Sequence, residues 1–376
     1  MVFQADYVLP VNKNTKFEAG IRSGIRNIGN DFLAEQLING QWTILQNLSN
    51  TFTYHENVEA VYTIFGSKTG RFSYQGGLRG EYTYLKTALV NTGEEYPRDF
   101  FQLFPSGHVN YEFQDQNQLQ LSYSRRIRRP GFWELNPFIN FTDSRNLYAG
   151  NPNLNPETTD SYELGHMKFW EKGNIGTNLY YRNTQDVIQR WREFKDDGTS
   201  FAQPLNLASS VNYGGEFLFA YTANSWMRLD GNVNFFRNTI SGTYRNTDLS
   251  ADSYSWFSRI GTRFSFWKNA DVQLRFNYRA PVRIPQGWRK DQYIIDIAFN
   301  KDFFNNNMSF TIAARDLLNS RRQNIEIGGE GYDFYERSEQ QWRRAPVIAT
   351  LSYRLNSAKK KSGRNDGEGF ENSSEI

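Results

Sequence analysis

The feature that most constrains this chain is a two-residue alternation of apolar and polar side chains, repeated along most of its length. In residues 271–279, Val272, Leu274, Phe276 and Tyr278 share one face, and Gln273, Arg275, Asn277 and Arg279 share the other, because successive side chains of a strand point to opposite sides. The same split occurs at Leu119, Leu121 and Tyr123 against Gln118, Gln120 and Ser122. It recurs at Phe72, Tyr74, Leu78, Tyr82 and Tyr84 against Arg71, Ser73, Gln75, Arg79 and Glu81, at Tyr293, Ile295, Ile297 and Phe299, and at Leu229, Val233 and Phe235. Helical spacing fits none of these runs. Strands with one greasy and one polar face admit two answers: a soluble sandwich, or a membrane barrel whose apolar face meets lipid and whose polar face lines a lumen.

A mean hydropathy of −0.70 and the lack of any run of about 18 apolar residues exclude a bundle of membrane-spanning helices. They do not exclude a barrel, whose wall needs an apolar residue only at every second position. The 30 Phe, 22 Tyr and 9 Trp among 376 residues rule against a disordered chain. A formal charge of +3 is too small for a nucleic-acid binder, whose footprint is a clustered excess of Lys and Arg. With no Cys there is neither a disulfide framework nor a thiolate metal site.

The connections separate sandwich from barrel. Short turns near residues 10–14, 66–70, 114–117, 171–174, 223–225, 268–271 and 305–307 alternate with long polar connections near 34–50, 90–101, 126–158, 192–205, 240–252, 280–291 and 318–336. Outer-membrane barrels have tight periplasmic turns at one rim and longer extracellular loops at the other. Each short turn also has an aromatic residue beside it: Tyr7, Phe65 and Phe72, Phe113, Trp170, Tyr221 and Trp226, Trp267, Phe303 and Phe304. That is the pattern of an interfacial girdle.

The expected fold is therefore all-β: an antiparallel transmembrane barrel wall of about fifteen strands over residues 1–355, followed by a polar tail, 356–376, that reads as disordered and periplasmic. If the last strand, around Leu351 to Leu355, runs down to the periplasm, counting back makes the first strand run down as well. A complete single-chain barrel has an even strand number and starts in the periplasm. The start also has no basic stretch, apolar stretch or cleavage site of an export signal. Both point to the C-terminal part of a longer barrel, one of roughly 22 strands by the size of the largest transporters.

One strand, loop and strand carries a resemblance. Leu121-Ser122-Tyr123-Ser124-Arg125-Arg126-Ile127-Arg128-Arg129-Pro130 is followed by Leu135-Asn136-Pro137-Phe138, then by Gly150-Asn151-Pro152-Asn153-Leu154-Asn155-Pro156-Glu157 and Tyr162-Glu163-Leu164-Gly165. Together these resemble the barrel half of TonB-dependent outer-membrane receptors, in particular the related outer-membrane β-barrel family common in Bacteroidota. Ala314-Arg315-Asp316-Leu317-Leu318-Asn319 is similar to a segment near the end of such barrels. The resemblance implies uptake of a scarce solute across the outer membrane of a Gram-negative cell. It also implies an N-terminal plug and a TonB-contacting segment, neither visible in these residues, so TonB is a partner only through a part that this chain lacks.

Taken by its residues alone, the long loop gains a defined shape from Pro130, Pro137, Pro152 and Pro156, which fix φ, and from Gly150 and Asn151, which tolerate turn conformations. A loop of this length without regular structure is often functional, which makes Arg128, Arg129, Trp133, Asn136, Tyr148 and Asn151 candidates for contact with a ligand. The competing reading is that they order the loop and pack it on its neighbours. Arg79, Arg182, Arg275, Arg279 and Arg315 fall on the polar faces and are candidate lumen residues. They would line a polar or anionic path, contact a plug, or pair with acids such as Glu81, Asp230 and Asp296.

Catalysis is not expected. His55, His108 and His166 are far apart, Gly76-Gly77 and Gly328-Gly329 lack the context of a phosphate loop, and no Gly-x-Ser-x-Gly element occurs. No cofactor or metal is called for, and the partners are outer-membrane lipid and a small solute of unknown identity. Two rivals differ in class: a non-transporting surface barrel for adhesion or assembly, and a soluble all-β binding protein.

Overall fold

The computed structural model describes residues 1–139, 143–207, 209–245, 247–328, 334–341, 344 and 346–355; the tail expected over 356–376 lies outside them. Fifteen strands form one antiparallel sheet in which each strand pairs with the next. They are β1 (Val2–Asn12), β2 (Thr15–Phe32), β3 (Asn50–Thr69), β4 (Phe72–Leu89), β5 (Glu94–Glu112), β6 (Asn117–Arg128), β7 (Glu157–Trp170) and β8 (Gly173–Gln185). The remainder are β9 (Ser209–Asn224), β10 (Met227–Ser241), β11 (Ala251–Phe266), β12 (Ala270–Arg279), β13 (Gln292–Phe303), β14 (Met308–Ala314) and β15 (Val347–Tyr353). Among the described residues, β1 and β15 each have one neighbour.

The seven short turns fall where the alternation breaks, and several are built on left-handed backbone, as at Asp115 and Gln116, Trp267 and Asn269, and Phe304 to Asn306. Every aromatic residue assigned to the turn-side girdle is exposed on the sheet, from Trp170 at 38% to Trp267 at 82%. A second, upper set of exposed rings includes Tyr82, Phe101, Tyr162, Tyr181, Phe235, Trp256 and Tyr293. Between the two sets lie Ile21, Val61, Leu78, Leu103, Leu121, Leu164 and Leu179, all exposed on the same face. Rings at both ends of an apolar band are what two headgroup layers select.

One long connection is shorter than the sequence implies. Residues 94–101, read as loop because of Glu94, Glu95, Pro97, Arg98 and Asp99, are the first part of β5, and only residues 90–93 connect β4 to β5. A membrane needs about 9–11 residues of tilted strand, yet β2 to β5 have 18, 20, 18 and 19. These four strands continue well past the lipid into water, where charged residues and proline are tolerated on the outside.

The remaining long connections carry small sheets of their own. Ile188–Phe194 pairs with Ser200–Asn206, which pairs in parallel with Asn146–Tyr148. Val282–Ile284, Gly287–Arg289, Gln323–Gly328 and Tyr335–Gln340 form a four-stranded sheet. These units sit at the end of the wall opposite the short turns, and together with the projecting strands they make a crown.

Candidate functional site

The crown is anchored from the lumen side. On β3 and β4 the lumen-facing register continues upward from Tyr62 and Arg79 to Phe52, Tyr54, Leu85 and Leu89. These four residues form a buried cluster with Leu135 and Leu154 from the long loop, and Phe132, Phe138, Ile28 and Ile188 pack against it. Leu135 lies on a single helical turn, Phe132–Leu135, and is wholly buried. Phe132, on the same turn, sets its ring 5.1 Å from Phe52 and 6.1 Å from Tyr54. A second buried cluster, Leu207, Ile240, Leu249 and Ala251, closes the crown over β10 and β11.

Below the apolar anchor the loop meets a polar network. Arg128 binds Glu134 at 2.7 Å and Glu157 at 3.2 Å. Arg129 reaches Glu81, and its guanidinium also donates to Thr83 Oγ1 at 3.1 Å. Arg79 holds the other oxygen of Glu81 at 2.6 Å and lies 5.9 Å from the ring centre of Tyr62, whose hydroxyl donates to Asp6. Tyr62 lies flat across Gly20, where an added Cβ would stand 2.6 Å from the phenol ring. One buried carboxylate, Glu81, thus ties a loop arginine to a wall arginine.

The other loop candidates divide by exposure. Asn136 is buried and accepts the backbone N–H of Phe138 at 3.0 Å. Asn151 accepts the N–H of Asn153 at 3.0 Å and donates to the carbonyl of Pro204 at 3.3 Å. Gly150 matters for close approach rather than for turn conformation: its N–H donates to the Asn136 carbonyl at 2.7 Å, and a Cβ there would meet the Glu134 and Asn136 carbonyls at 2.6 Å. Tyr148 donates to the Trp133 carbonyl at 3.3 Å and lies under Arg190, 4.9 Å from the ring centre; burial pushes its phenol above the ordinary tyrosine value. Trp133 is 65% exposed. Arg128, Arg129, Asn136 and Asn151 therefore hold the loop together, Tyr148 is half-buried under Arg190, and Trp133 presents open surface.

Among the candidate lumen residues, register puts Arg79, Arg182, Arg275 and Arg279 on the lumen face. Arg182 pairs with Glu163 at 2.9 Å and lies 4.4 Å from the ring centre of Tyr180. Arg315 lies one residue beyond β14, where its N–H donates to the Pro346 carbonyl at 3.1 Å. The five arginines are spread round the wall and do not meet at one point.

Sequence reasoning missed the contacts between loops. Arg192 pairs with Glu336 at 2.5 Å, and Gln286 accepts the Arg192 N–H and donates to its carbonyl, each at 2.8 Å. The rings of Phe194 and Phe334 stack with centres 4.0 Å apart. Nothing in local spacing marks partners 94 or 144 residues apart.

The profile of the outer membrane protein beta-barrel family matches residues 1–353. The chain belongs to that family. It is accordingly a protein of the Gram-negative outer membrane, with lipid against its apolar face. No curated protein matches it. Among solved structures this family member is similar in fold to the siderophore receptor PiuA from Acinetobacter baumannii, with a TM-score of 0.66, 12% identity, and 93% of this chain and 55% of that one covered. It is likewise similar to the copper transporter OprC, with a TM-score of 0.65, 13% identity, and 93% and 55% covered. The ferric yersiniabactin uptake receptor FyuA from Yersinia pestis has a TM-score of 0.59 and 14% identity, with 93% and 51% covered. The chain spans about half the length of these structures, 51% to 55%.

Proposed function

We propose that this barrel wall and its crown belong to a receptor that takes a scarce small solute across the outer membrane, driven through TonB by a plug contributed outside the described wall. The observation that carries the reading is the crown: a long loop is pinned to the lumen side through Phe132, Leu135 and Arg129 and leaves Trp133 open. A rim built this way forms a shaped vestibule over a polar lumen, and capture ahead of passage needs such a vestibule. The likeness in fold to a copper transporter, a siderophore receptor and a ferric yersiniabactin uptake receptor supports it. In the same reading the wall over residues 1–355 is the C-terminal part of a larger barrel, 356–376 is a periplasmic tail, and no catalytic step is involved.

The test is genetic. Cells lacking this protein and cells lacking TonB are compared for uptake of ferric chelates, cobalamin, glycans and peptides. Loss of the same solute in both strains is the expected result. Normal uptake of every solute, with a defect in adhesion or assembly instead, would replace this reading with that of a non-transporting surface barrel.

A further inference from the structure

Several charges on the lumen face are neutralised where they stand: Arg79 and Arg129 by Glu81, Arg182 by Glu163, and Arg263 by Asp271. Among the described residues Arg22, Arg126 and Arg228 also face the lumen without an ion-pair partner, each on a different strand, and in one sector two such arginines follow each other on a single strand. On β12, Arg275, Asn277 and Arg279 point to the lumen in succession, and Arg259 of β11 stands opposite Asn277 in the ladder. Among the described residues neither the Arg275 nor the Arg279 side chain has a hydrogen-bond or ion-pair partner, and the Arg259 side chain makes a single bond, from Nε to Asn277 Oδ1 at 3.2 Å.

Two carboxylates flank the sector without pairing to it. Asp296 faces Arg275 in the register, but its Oδ1 accepts the backbone N–H of Asp316 at 2.8 Å. Asp230 leans over Gly261, where a Cβ would stand 3.1 Å from its Oδ2. Neither lies within ion-pair distance of an arginine of this group.

Above them, Arg289 of the crown brings a fourth guanidinium. Its Nε is buried with no partner among the described residues, and burial together with the like charge of Arg279 lowers its pKa below the ordinary arginine value. A half-buried cation beside a second cation is stabilised when an anion completes it. Arg275 and Arg279 are about 13 Å apart along the strand at the usual rise per residue, and long arginine side chains can converge on one ligand above Asn277. Guanidinium groups bind carboxylate and phosphate oxygens in a forked geometry.

We propose that Arg259, Arg275, Arg279 and Arg289 form a lumen site for a small solute carrying two or more carboxylate or phosphate groups. This deepens the transport reading and rests on it for the biological role, although the binding itself does not depend on transport.

The test uses protein purified in detergent from the outer membrane of its own host, with calorimetric titration of inorganic pyrophosphate and of citrate, and choline as the cationic control. Saturable binding of at least one anion and none of choline is expected. Arg279→Gln and Arg289→Gln should each weaken it roughly tenfold, the scale of one charge-assisted hydrogen bond. Arg279→Lys should recover part of the loss. Arg237→Gln removes the same charge from the opposite, lipid-side face, where Arg237 pairs with Asp252, and should leave binding unchanged.

Absence of saturable binding, equal affinity in all variants, or an equal loss in Arg237→Gln would overturn the site. The two readings fail separately. If the anion binds as stated but cells lacking the protein take up every solute normally, the site stands and transport falls. If TonB-dependent uptake of a solute is found but the purified protein binds neither pyrophosphate nor citrate, transport stands and the site falls.

Discussion

The lower and upper halves of β2 to β5 obey the same alternation with opposite polarity. Toward the short turns, Ile21, Val61, Leu78 and Leu103 face outward and are exposed, while Tyr62, Arg79, Glu81 and Gln102 face the lumen in register. Toward the crown the outward positions become Asn27, His55, Lys86 and Glu95, joined by a hydrogen bond from His55 Nδ1 to Asn27 Oδ1 and an ion pair from Lys86 to Glu95. The lumen positions there become Ile28, Phe52, Tyr54, Leu85 and Leu89. The pleat continues unbroken; what changes is the medium on each side. Lipid below selects apolar side chains outside, whereas water outside the crown and a folded loop inside select the reverse.

This contrast can be broken most severely in the crown core. Phe52→Ala should cost about 3–5 kcal/mol, as large-to-small changes at fully buried rings do, and should free the long loop. Limited proteolysis on intact cells, cutting within residues 129–156 while the wall stays resistant, is the expected readout; an uncut loop would show that the apolar cluster does not anchor it. Next in size is the lipid face. Leu78→Arg should cost about 2–4 kcal/mol near the middle of the bilayer, whereas Thr53→Arg, outward on the crown, should be close to neutral. Urea titration of the protein in lipid vesicles compares the two, and equal effects would remove the boundary drawn between belt and crown.

A smaller effect is expected at the joint between the two halves. Glu81→Gln removes the carboxylate shared by Arg79 and Arg129 and should cost about 1–2 kcal/mol, reduced from a dry pair because the lumen is wet. The loop should remain in place on its apolar anchor, with faster amide exchange near Arg129. The smallest effect belongs to the exposed four-stranded sheet of the crown. The Lys290 ammonium, 2.6 Å from Glu326, holds that carboxyl below its ordinary value. Its contribution is complete at neutral pH and is lost as pH falls through the depressed value. Carbon-13 carboxyl titration should show Glu326 ionising below free glutamate, and Lys290→Gln should return it toward normal.

Much of the wall was legible because its physics is local. A strand in lipid must alternate and a two-layer membrane edge attracts rings, so residues 271–279 and the seven short turns could be read one segment at a time. The beginning of β5 could not, because Glu95, Pro97 and Asp99 look like loop until one knows that the strand has already left the membrane. The candidate site was legible only in part. The contacts of Arg128, Arg129, Asn136 and Asn151, candidates for ligand contact in the sequence, are with the loop and wall, and the polar appearance of the segment concealed Leu135 and Leu154 as its anchors. A usable signal did exist: along β4 the lumen phase that carries Arg79 and Glu81 goes on to Leu85 and Leu89, so the change of composition without a change of phase marks the boundary.

The amino-acid sequence by itself determined that this is an antiparallel membrane wall of fifteen strands with short turns on one rim, since alternation, turn chemistry and girdle rings each act over a few residues. Only the tertiary structure decided which charges are neutralised and which stand alone. Arg79 and Arg275 look alike in sequence, each on the polar face of an alternating strand; Arg79 shares Glu81 with a loop arginine 50 residues further along, while Asp296 opposite Arg275 is occupied by the backbone of Asp316. Electrostatic pairing depends on distance in space to a few ångströms, and that distance is set by which strands and loops come together.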